Sequence, residues 1–137
     1  MRSALLLALS LLLSLPLPAV QAQKDKAGET VVVTDKNAGD KVKLGLGDQL
    51  KVKLRFQGGT GFTWSALKVD DKVLEQVGKP TTEKIDGEKP RPGGPALQVF
   101  TFTGKGTGET KLELGYARPF EKGKPPAKTF TVTVTVK

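Results

Sequence analysis

The stretch QLKVKLRF, residues 49–56, decides the fold of this chain. Apolar residues occupy every second position, and polar or charged residues lie between them. Successive side chains of a β-strand point to opposite faces, so a strict period of two predicts a strand with one buried face and one solvated face. The basic residues on the polar face are the kind that keep a sheet surface soluble.

Similar patterns recur along the chain. The other segments that favour strands are β-branched or alternate apolar with polar residues, and turn residues separate them: 30–34, 42–46, 63–69, 97–102, 112–116 and 130–136. Residues 73–77 fit either a short strand or a helical turn, and a strand is predicted. Residues 78–96 show no apolar period and are predicted to form a long loop. The pattern as a whole predicts an all-β protein, an Ig-like antiparallel β-sandwich of seven or eight strands.

The start of the chain has the layout of a secretory signal peptide. A short basic start precedes an apolar run over residues 4–15, and residues 20–22 fit a cleavage site of small residues. The apolar run is too short to predict a membrane span, and no cysteine offers a point for a lipid anchor. We therefore expect residues 1–22 to be a signal peptide, residues 23–29 a flexible lead-in, and residues 30–137 an exported domain, periplasmic or secreted, without a membrane anchor.

Composition argues against catalysis. The chain contains no Cys and no His, which removes thiol nucleophiles, imidazole bases and the usual zinc ligands. Neighbouring carboxylates, such as Asp70-Asp71 or Glu109 with Glu113, fall in turns or exposed positions, whereas a glycosidase pair must face across a cleft. The prediction is a protein that is not an enzyme and holds neither a metal nor a cofactor.

The formal net charge is +8, from 22 basic and 14 acidic residues. The two signs are mixed along the chain, and several lysines alternate with apolar residues, which favours a solvated strand face over attraction to an acidic partner. Nucleic acid is not an expected partner, because no basic stripe is interleaved with stacking aromatic residues.

Three connections have the composition of recognition loops. The first is Gly58-Gly59-Thr60-Gly61-Phe62, which runs into Trp64, the single tryptophan of the chain. The second carries Gly93-Gly94 between two prolines, and the third carries Arg118-Pro119-Phe120 shortly after Tyr116. Glycine allows close backbone approach, and aromatic side chains supply contact area. These connections form the candidate binding site, with Trp64 and Tyr116 as its structural support.

In this order and spacing, Thr60-Gly61-Phe62-x-Trp64, Gly93-Gly94 and Tyr116-x-Arg118-Pro119-Phe120 resemble the chagasin family of cysteine-protease inhibitors. The resemblance covers most of residues 30–137. It implies an Ig-like sandwich that blocks the active-site cleft of a papain-like cysteine protease with three loops at one end. A monomer is expected.

The resemblance also implies a role for each loop. Thr60 and Gly61 would occupy the cleft near the catalytic thiol of the protease, with Gly58 and Gly59 allowing close approach and Phe62 contacting from the far side. Gly93 and Gly94 would lie as a backbone strip along the substrate-binding side. Arg118, Pro119 and Phe120 would form the third arm, with Phe120 meeting an aromatic surface of the enzyme.

The first loop departs from the family pattern. The family usually has Asn-Pro-Thr-Thr-Gly there, and this chain has Gln57-Gly58-Gly59-Thr60-Gly61. Without the proline the loop is expected to be looser, unless neighbouring loops hold it. An alternative function is an Ig-like adhesion or carbohydrate-binding module that uses Phe62 and Phe120 as stacking platforms.

Overall fold

A computed structural model describes residues 28–137 of the chain. The predicted signal peptide and residues 23–27 of the predicted lead-in lie outside the described residues. Glu29 is fixed by two hydrogen bonds: its N–H donates to Asp48 Oδ1 at 3.0 Å, and its carbonyl accepts from the Gln49 N–H at 2.9 Å.

The described residues form nine β-strands and two short 3₁₀ turns. The strands are β1 (Thr30–Thr34), β2 (Lys41–Leu44), β3 (Gln49–Gln57), β4 (Thr63–Lys68), β5 (Leu74–Gln76), β6 (Thr81–Glu83), β7 (Pro95–Gly104), β8 (Gly108–Ala117) and β9 (Lys128–Val136). The turns are Asp35–Asn37 and Gly58–Thr60. No helix within residues 28–137 is long and apolar enough to cross a membrane.

The strands make two sheets. The first has the order β1-β3-β7-β5, with the short β6 also paired to β7, and the second has the order β2-β9-β8-β4. The alternation that begins at Leu50 places one face of each long strand in the core between the sheets. Twelve side chains there are almost completely inaccessible: Leu50, Val52, Leu54, Leu74, Phe100, Phe102, Leu112, Leu114, Phe130, Val132, Val134 and Val136.

The predicted two-layer sandwich is confirmed, and the structure adds two details. Both sheets are mixed, because β1 pairs with β3 and β2 pairs with β9 in parallel. Each of these pairs joins strands that no tight hairpin connects, so a parallel arrangement is open to them. Residues 78–96, predicted to be loop throughout, contain β6, which pairs antiparallel with β7 and brings the strand count to nine. Three polar residues, Thr81–Glu83, carry no apolar period that could reveal such a strand.

Strand register brings three connections to the same end of the sandwich. Gln57, the last residue of β3, pairs with Pro95, the first residue of β7. In the other sheet the start of β4 pairs with the end of β8, and the end of β8 pairs with the start of β9. The connections β3–β4, β6–β7 and β8–β9 therefore emerge side by side.

Below these connections a buried amide ties the two sheets together. The Gln98 side chain, on β7, is 8% exposed. Its Oε1 accepts from the Trp64 N–H at 2.9 Å, and its Nε2 donates to the Trp64 carbonyl at 2.9 Å. Trp64 lies on β4, the edge strand of the opposite sheet, so the amide takes the place of a neighbouring strand. Oε1 also accepts from Thr63 Oγ1 at 3.1 Å.

Replacing Gln98 by Leu keeps the approximate size of the side chain and removes these hydrogen bonds. We expect the free energy of unfolding to fall by about 1–3 kcal/mol, because the buried N–H and carbonyl of Trp64 lose their partner. Urea denaturation followed by far-UV circular dichroism measures the change. Gln76→Leu, at an exposed position on β5, is the matched control and should change stability by less than about 0.5 kcal/mol. Equal losses in the two variants would contradict a tie between the sheets.

Candidate functional site

The three predicted loops come together at one end of the sandwich. We call residues 57–62 the first loop, residues 91–94 the second loop and residues 117–127 the third loop. Most of their predicted site residues are exposed, while Phe62, Gly94 and Arg118 are partly buried. Direct contacts join the first loop to each of the others, so the loops form one continuous surface.

The first loop is ordered by its own hydrogen bonds. Gly58–Thr60 forms a 3₁₀ turn that ends at Gly61, whose φ of 80° is the left-handed conformation that favours glycine. Thr60 Oγ1 donates to the Gln57 carbonyl at 2.6 Å and accepts from the Phe62 N–H at 3.3 Å. The threonine hydroxyl thus closes the turn from inside. The turn therefore has internal support even though the proline is missing.

The second loop meets the first through backbone alone. The Gly59 N–H donates to the Gly93 carbonyl at 3.0 Å. A Cβ atom placed on Gly59 would lie 2.8 Å from that carbonyl oxygen, closer than real Cβ contacts come. Gly93 itself has a φ of 70°, and the turn is closed by the Gly94 N–H, which donates to the Arg91 carbonyl at 2.9 Å. Glycine at 59 is therefore required by the neighbouring loop.

The third loop meets the first through Arg118 and Phe120. Arg118 Nε donates to the Thr60 carbonyl at 3.0 Å, and its guanidinium carbon lies 4.5 Å from the centroid of the Phe62 ring. The Phe120 ring lies beside Gly61, where an added Cβ would be 3.2 Å from Phe120 Cε1. Phe120 is nonetheless 71% exposed, so most of its ring is available to a partner.

Arg118 is held in place by an acidic neighbour on its own loop. Glu121 Oε1 accepts from Arg118 Nη1 at 3.1 Å, and Lys124 Nζ lies 3.6 Å from Glu121 Oε2. The hydrogen bond from Arg118, with the nearby positive charges of Lys124 and Arg118, lowers the pKa of the Glu121 carboxyl below its ordinary value. The charged form of this pair therefore persists under mildly acidic conditions.

An aromatic stack supports the first loop from below. The Phe62 ring stacks on Tyr116 with centroids 5.2 Å apart, and Tyr116 packs against Trp64 at 4.9 Å. Trp64 and Tyr116 are directly opposite in the β4–β8 ladder, and Trp64 is 7% exposed. Both residues thus lie beneath the loops.

The polar atoms of the two supporting rings complete the edge of β3. β1 pairs with β3 only as far as Lys53. Farther along β3, Trp64 Nε1 donates to the Arg55 carbonyl at 3.0 Å, and the Gln57 N–H donates to the Tyr116 hydroxyl at 3.2 Å. A groove of about 330 Å³ remains beside this edge, with Trp64 and Tyr116 among its lining residues.

Gln98 is the supporting residue that sequence analysis missed. The signal was present, because Gln98 shares the inward face of β7 with Phe100 and Phe102, which are almost completely buried. A polar side chain in such a position requires hydrogen-bond partners inside the protein. The sequence contains no indication that the partner is the backbone of Trp64.

The arrangement is suited to contact rather than to chemistry. Within residues 28–137, no three His, Cys, Asp or Glu side chains lie close enough together to hold a metal ion. The first two loops expose four glycines whose backbone no side chain of their own covers, Gly58, Gly59, Gly61 and Gly93. The third loop adds the Arg118 guanidinium and the exposed Phe120 ring. Such a surface can fill a cleft and form backbone hydrogen bonds with its walls.

Gly59→Ala tests whether the loops are joined as described. The new methyl group must displace the Gly93 carbonyl, at a cost of about 1–3 kcal/mol, and the amide resonances of Gly93 and Gly94 should shift in NMR spectra. The amide proton of residue 59 should also exchange faster with solvent. Gly58→Ala is the matched control, since its Cβ would meet nothing closer than Phe56 Cε2 at 3.8 Å. If neither variant perturbs the second loop, the described contact is wrong.

Comparison with known proteins gives matches that span the same strands and loops. A model of the chagasin family of peptidase inhibitors, I42, matches residues 43–134, from β2 into β9 and across all three loops. Amoebiasin-2 of Entamoeba histolytica is 29% identical over 111 residues, which cover 77% of this chain and 85% of that protein.

Solved structures show the same architecture. The crystal structure of EhICP2, a cysteine protease inhibitor from Entamoeba histolytica, is similar with a TM-score of 0.66 and 25% identity, covering 80% of this chain and 96% of that one. PbICP-C, solved in complex with falcipain-2, gives a TM-score of 0.51 and 19% identity, covering 80% of this chain and all of that one. The two-sheet fold is thus an Ig-like β-sandwich. Together with the family match over most of the chain, this confirms the resemblance carried by the three motifs: the chain belongs to the chagasin family of peptidase inhibitors.

Proposed function

We propose that this protein inhibits papain-like cysteine proteases by inserting its three joined loops into the active-site cleft. The observation that carries the proposal is the direct contact of the first loop with both others, through Gly59 to Gly93 and through Thr60 to Arg118. The surface so formed contains every residue that the family motifs place in the protease contact.

Relatives support the class of target. EhICP2 is itself described as a cysteine protease inhibitor, and PbICP-C was solved bound to falcipain-2. In the arrangement that the family resemblance implies, Thr60 and Gly61 would lie near the catalytic thiol of the protease. The Gly93-Gly94 backbone would line one wall of the cleft, and Phe120 would contact the other.

The internal hydrogen bonds of the loops favour tight binding. Ordering a free backbone costs about 1–2 kcal/mol per residue, and a loop fixed before binding does not incur that cost in the complex. Here Thr60 Oγ1 fixes the Gln57 carbonyl and the Phe62 N–H from within the loop. The Gly93 carbonyl fixes the Gly59 N–H, and Arg118 Nε fixes the Thr60 carbonyl. These hydrogen bonds, within the loop and to both neighbouring loops, supply the constraint that a proline would supply in the usual family pattern.

The carbohydrate-binding alternative fits the geometry less well. A sugar stacks on the open face of an aromatic ring, and Phe62 has one ring face against Tyr116 and the Arg118 guanidinium over its ring. Phe120 offers a single exposed ring, beside Gly61. A joined loop surface with one free aromatic residue suits a protein cleft better than a row of sugar rings.

Export is the second part of the proposal. The layout of residues 1–22 supports secretion across a membrane, after which residues 30–137 would act as a monomeric inhibitor in the periplasm or outside the cell. A papain-like protease met there would be blocked reversibly, since the loops would fill its cleft sterically and offer no peptide bond in register for attack.

Titration of papain with the domain tests the function. With a small fluorogenic peptide substrate, we expect activity to fall as the domain is added and to return when the complex is diluted. Trypsin, a serine protease with a different cleft, is the control and should keep its activity. Full papain activity at micromolar concentrations of a folded domain would refute the proposal.

Thr60→Glu tests where the contact lies. A carboxylate forced into a desolvated contact should raise the inhibition constant by about 100-fold or more. Lys105→Glu reverses a charge in the exposed turn between β7 and β8, at the opposite end of the sandwich, and should change the constant by less than about threefold. Equal effects would indicate non-specific electrostatic attraction instead of insertion of the first loop.

A further inference from the structure

The geometry points to Arg118 as a positioning residue that keeps the first loop from being cleaved by the protease it blocks. The inference rests on the proposed function, because it concerns the fate of the first loop inside a protease cleft. It assigns to Arg118 a role inside the inhibitor, separate from any contact that its loop makes with the enzyme.

A peptide bond is cleaved only if its carbonyl oxygen can enter the oxyanion hole of the protease. The donors of that site must reach the oxygen as negative charge develops on it, and substrates commonly bind proteases as extended strands. In the free inhibitor the Thr60 carbonyl already accepts a hydrogen bond from Arg118 Nε at 3.0 Å. Thr60 also closes a 3₁₀ turn, so the bond that follows it is presented in a conformation unlike that of a substrate.

Two contacts hold Arg118 in the orientation that its bond to the Thr60 carbonyl requires, one to Glu121 and one to the Phe62 ring. Its Nη1 donates to Glu121 Oε1 at 3.1 Å, its guanidinium carbon lies 4.5 Å from the Phe62 ring centroid, and its Nε faces Thr60. The guanidinium is planar and carries several donors in fixed directions, so one side chain can donate to the Glu121 carboxylate and the Thr60 carbonyl at the same time. Because the pKa of Glu121 is lowered, the carboxylate keeps its charge under mildly acidic conditions.

Other contacts would survive the loss of Arg118. The Thr60 hydroxyl would still bind the Gln57 carbonyl, and the Gly59 N–H would still bind the Gly93 carbonyl. The loop would therefore still enter the cleft, but its Thr60 carbonyl would be free to turn toward the enzyme. A variant without the guanidinium should consequently bind and then be processed as a slow substrate.

The chemistry of that processing is ordinary acyl transfer by the protease. The protease thiolate adds to the Thr60 carbonyl carbon, and the Gly61 amine leaves with a proton from the protease imidazolium. Water then attacks the thioester, releases a carboxylate on Thr60 and restores the thiol. The two fragments together are heavier than the intact chain by one water molecule, which mass spectrometry detects.

The experiment incubates Arg118→Ala with active papain and follows both protease activity and inhibitor mass over time. We expect inhibition that decays, with fragments ending at Thr60 and beginning at Gly61, at a rate at least about tenfold above that of the wild type. Arg118→Lys, which retains the charge without the planar fork, should also be cleaved faster than the wild type. Lys105→Ala, which removes one positive charge at the opposite end of the sandwich, should remain intact.

The outcomes separate this inference from the proposed function. If the wild-type domain does not inhibit papain, the proposed function fails. If it inhibits, and Arg118→Ala binds more weakly yet stays uncut between residues 57 and 62, Arg118 contributes affinity alone and the inference is overturned. Near-ultraviolet circular dichroism of each variant checks that the Trp64 environment is unchanged, and Arg118→Lys provides the test should Arg118→Ala not fold.

Discussion

The Gln98 amide is hydrogen-bonded to the backbone of Trp64 and fixes where Trp64 lies relative to the opposite sheet. The placement of the three loops depends on this contact. Apolar contact holds two sheets together but gives little direction, because burial of apolar area is non-directional. The amide supplies the direction, since its three hydrogen bonds go to two adjacent residues of the opposite sheet, Thr63 and Trp64. Trp64 then supports Tyr116, Tyr116 supports Phe62, and Phe62 lies under Arg118. A buried polar group thus determines where an exposed loop is presented.

The first loop reaches its form through neighbours instead of through stiffness in its own sequence. Glycine at 59 permits backbone contact with the second loop, and glycine at 61 adopts a left-handed conformation beside Phe120. A sequence that is locally flexible is therefore constrained by contacts on both sides. This accounts for Gly58-Gly59 at a place where the family usually has a proline: the Thr60 hydroxyl, the second loop and the third loop together supply the constraint.

Much of the fold was predictable because its signals are local. The alternation at Leu50 to Phe56 and at Phe130 to Val136 can be recognised from neighbouring residues alone. Both stretches are strands with one buried face. β6 escaped prediction because its polar residues gain their strand conformation from β7, which they pair with. The parallel pairing of β1 with β3 also depends on partners that are distant in the sequence. Local pattern contains no information about either.

The sequence by itself determined the long strands, their inward faces and the three motifs of the loops, and these motifs identified the family. Tertiary structure decided which atoms meet. Gln98 binds the backbone of a residue 34 positions away, and Arg118 binds one 58 positions away. Such contacts follow from strand register and from the assignment of each strand to a sheet, and they depend on distances across the core that spacing along the chain does not record.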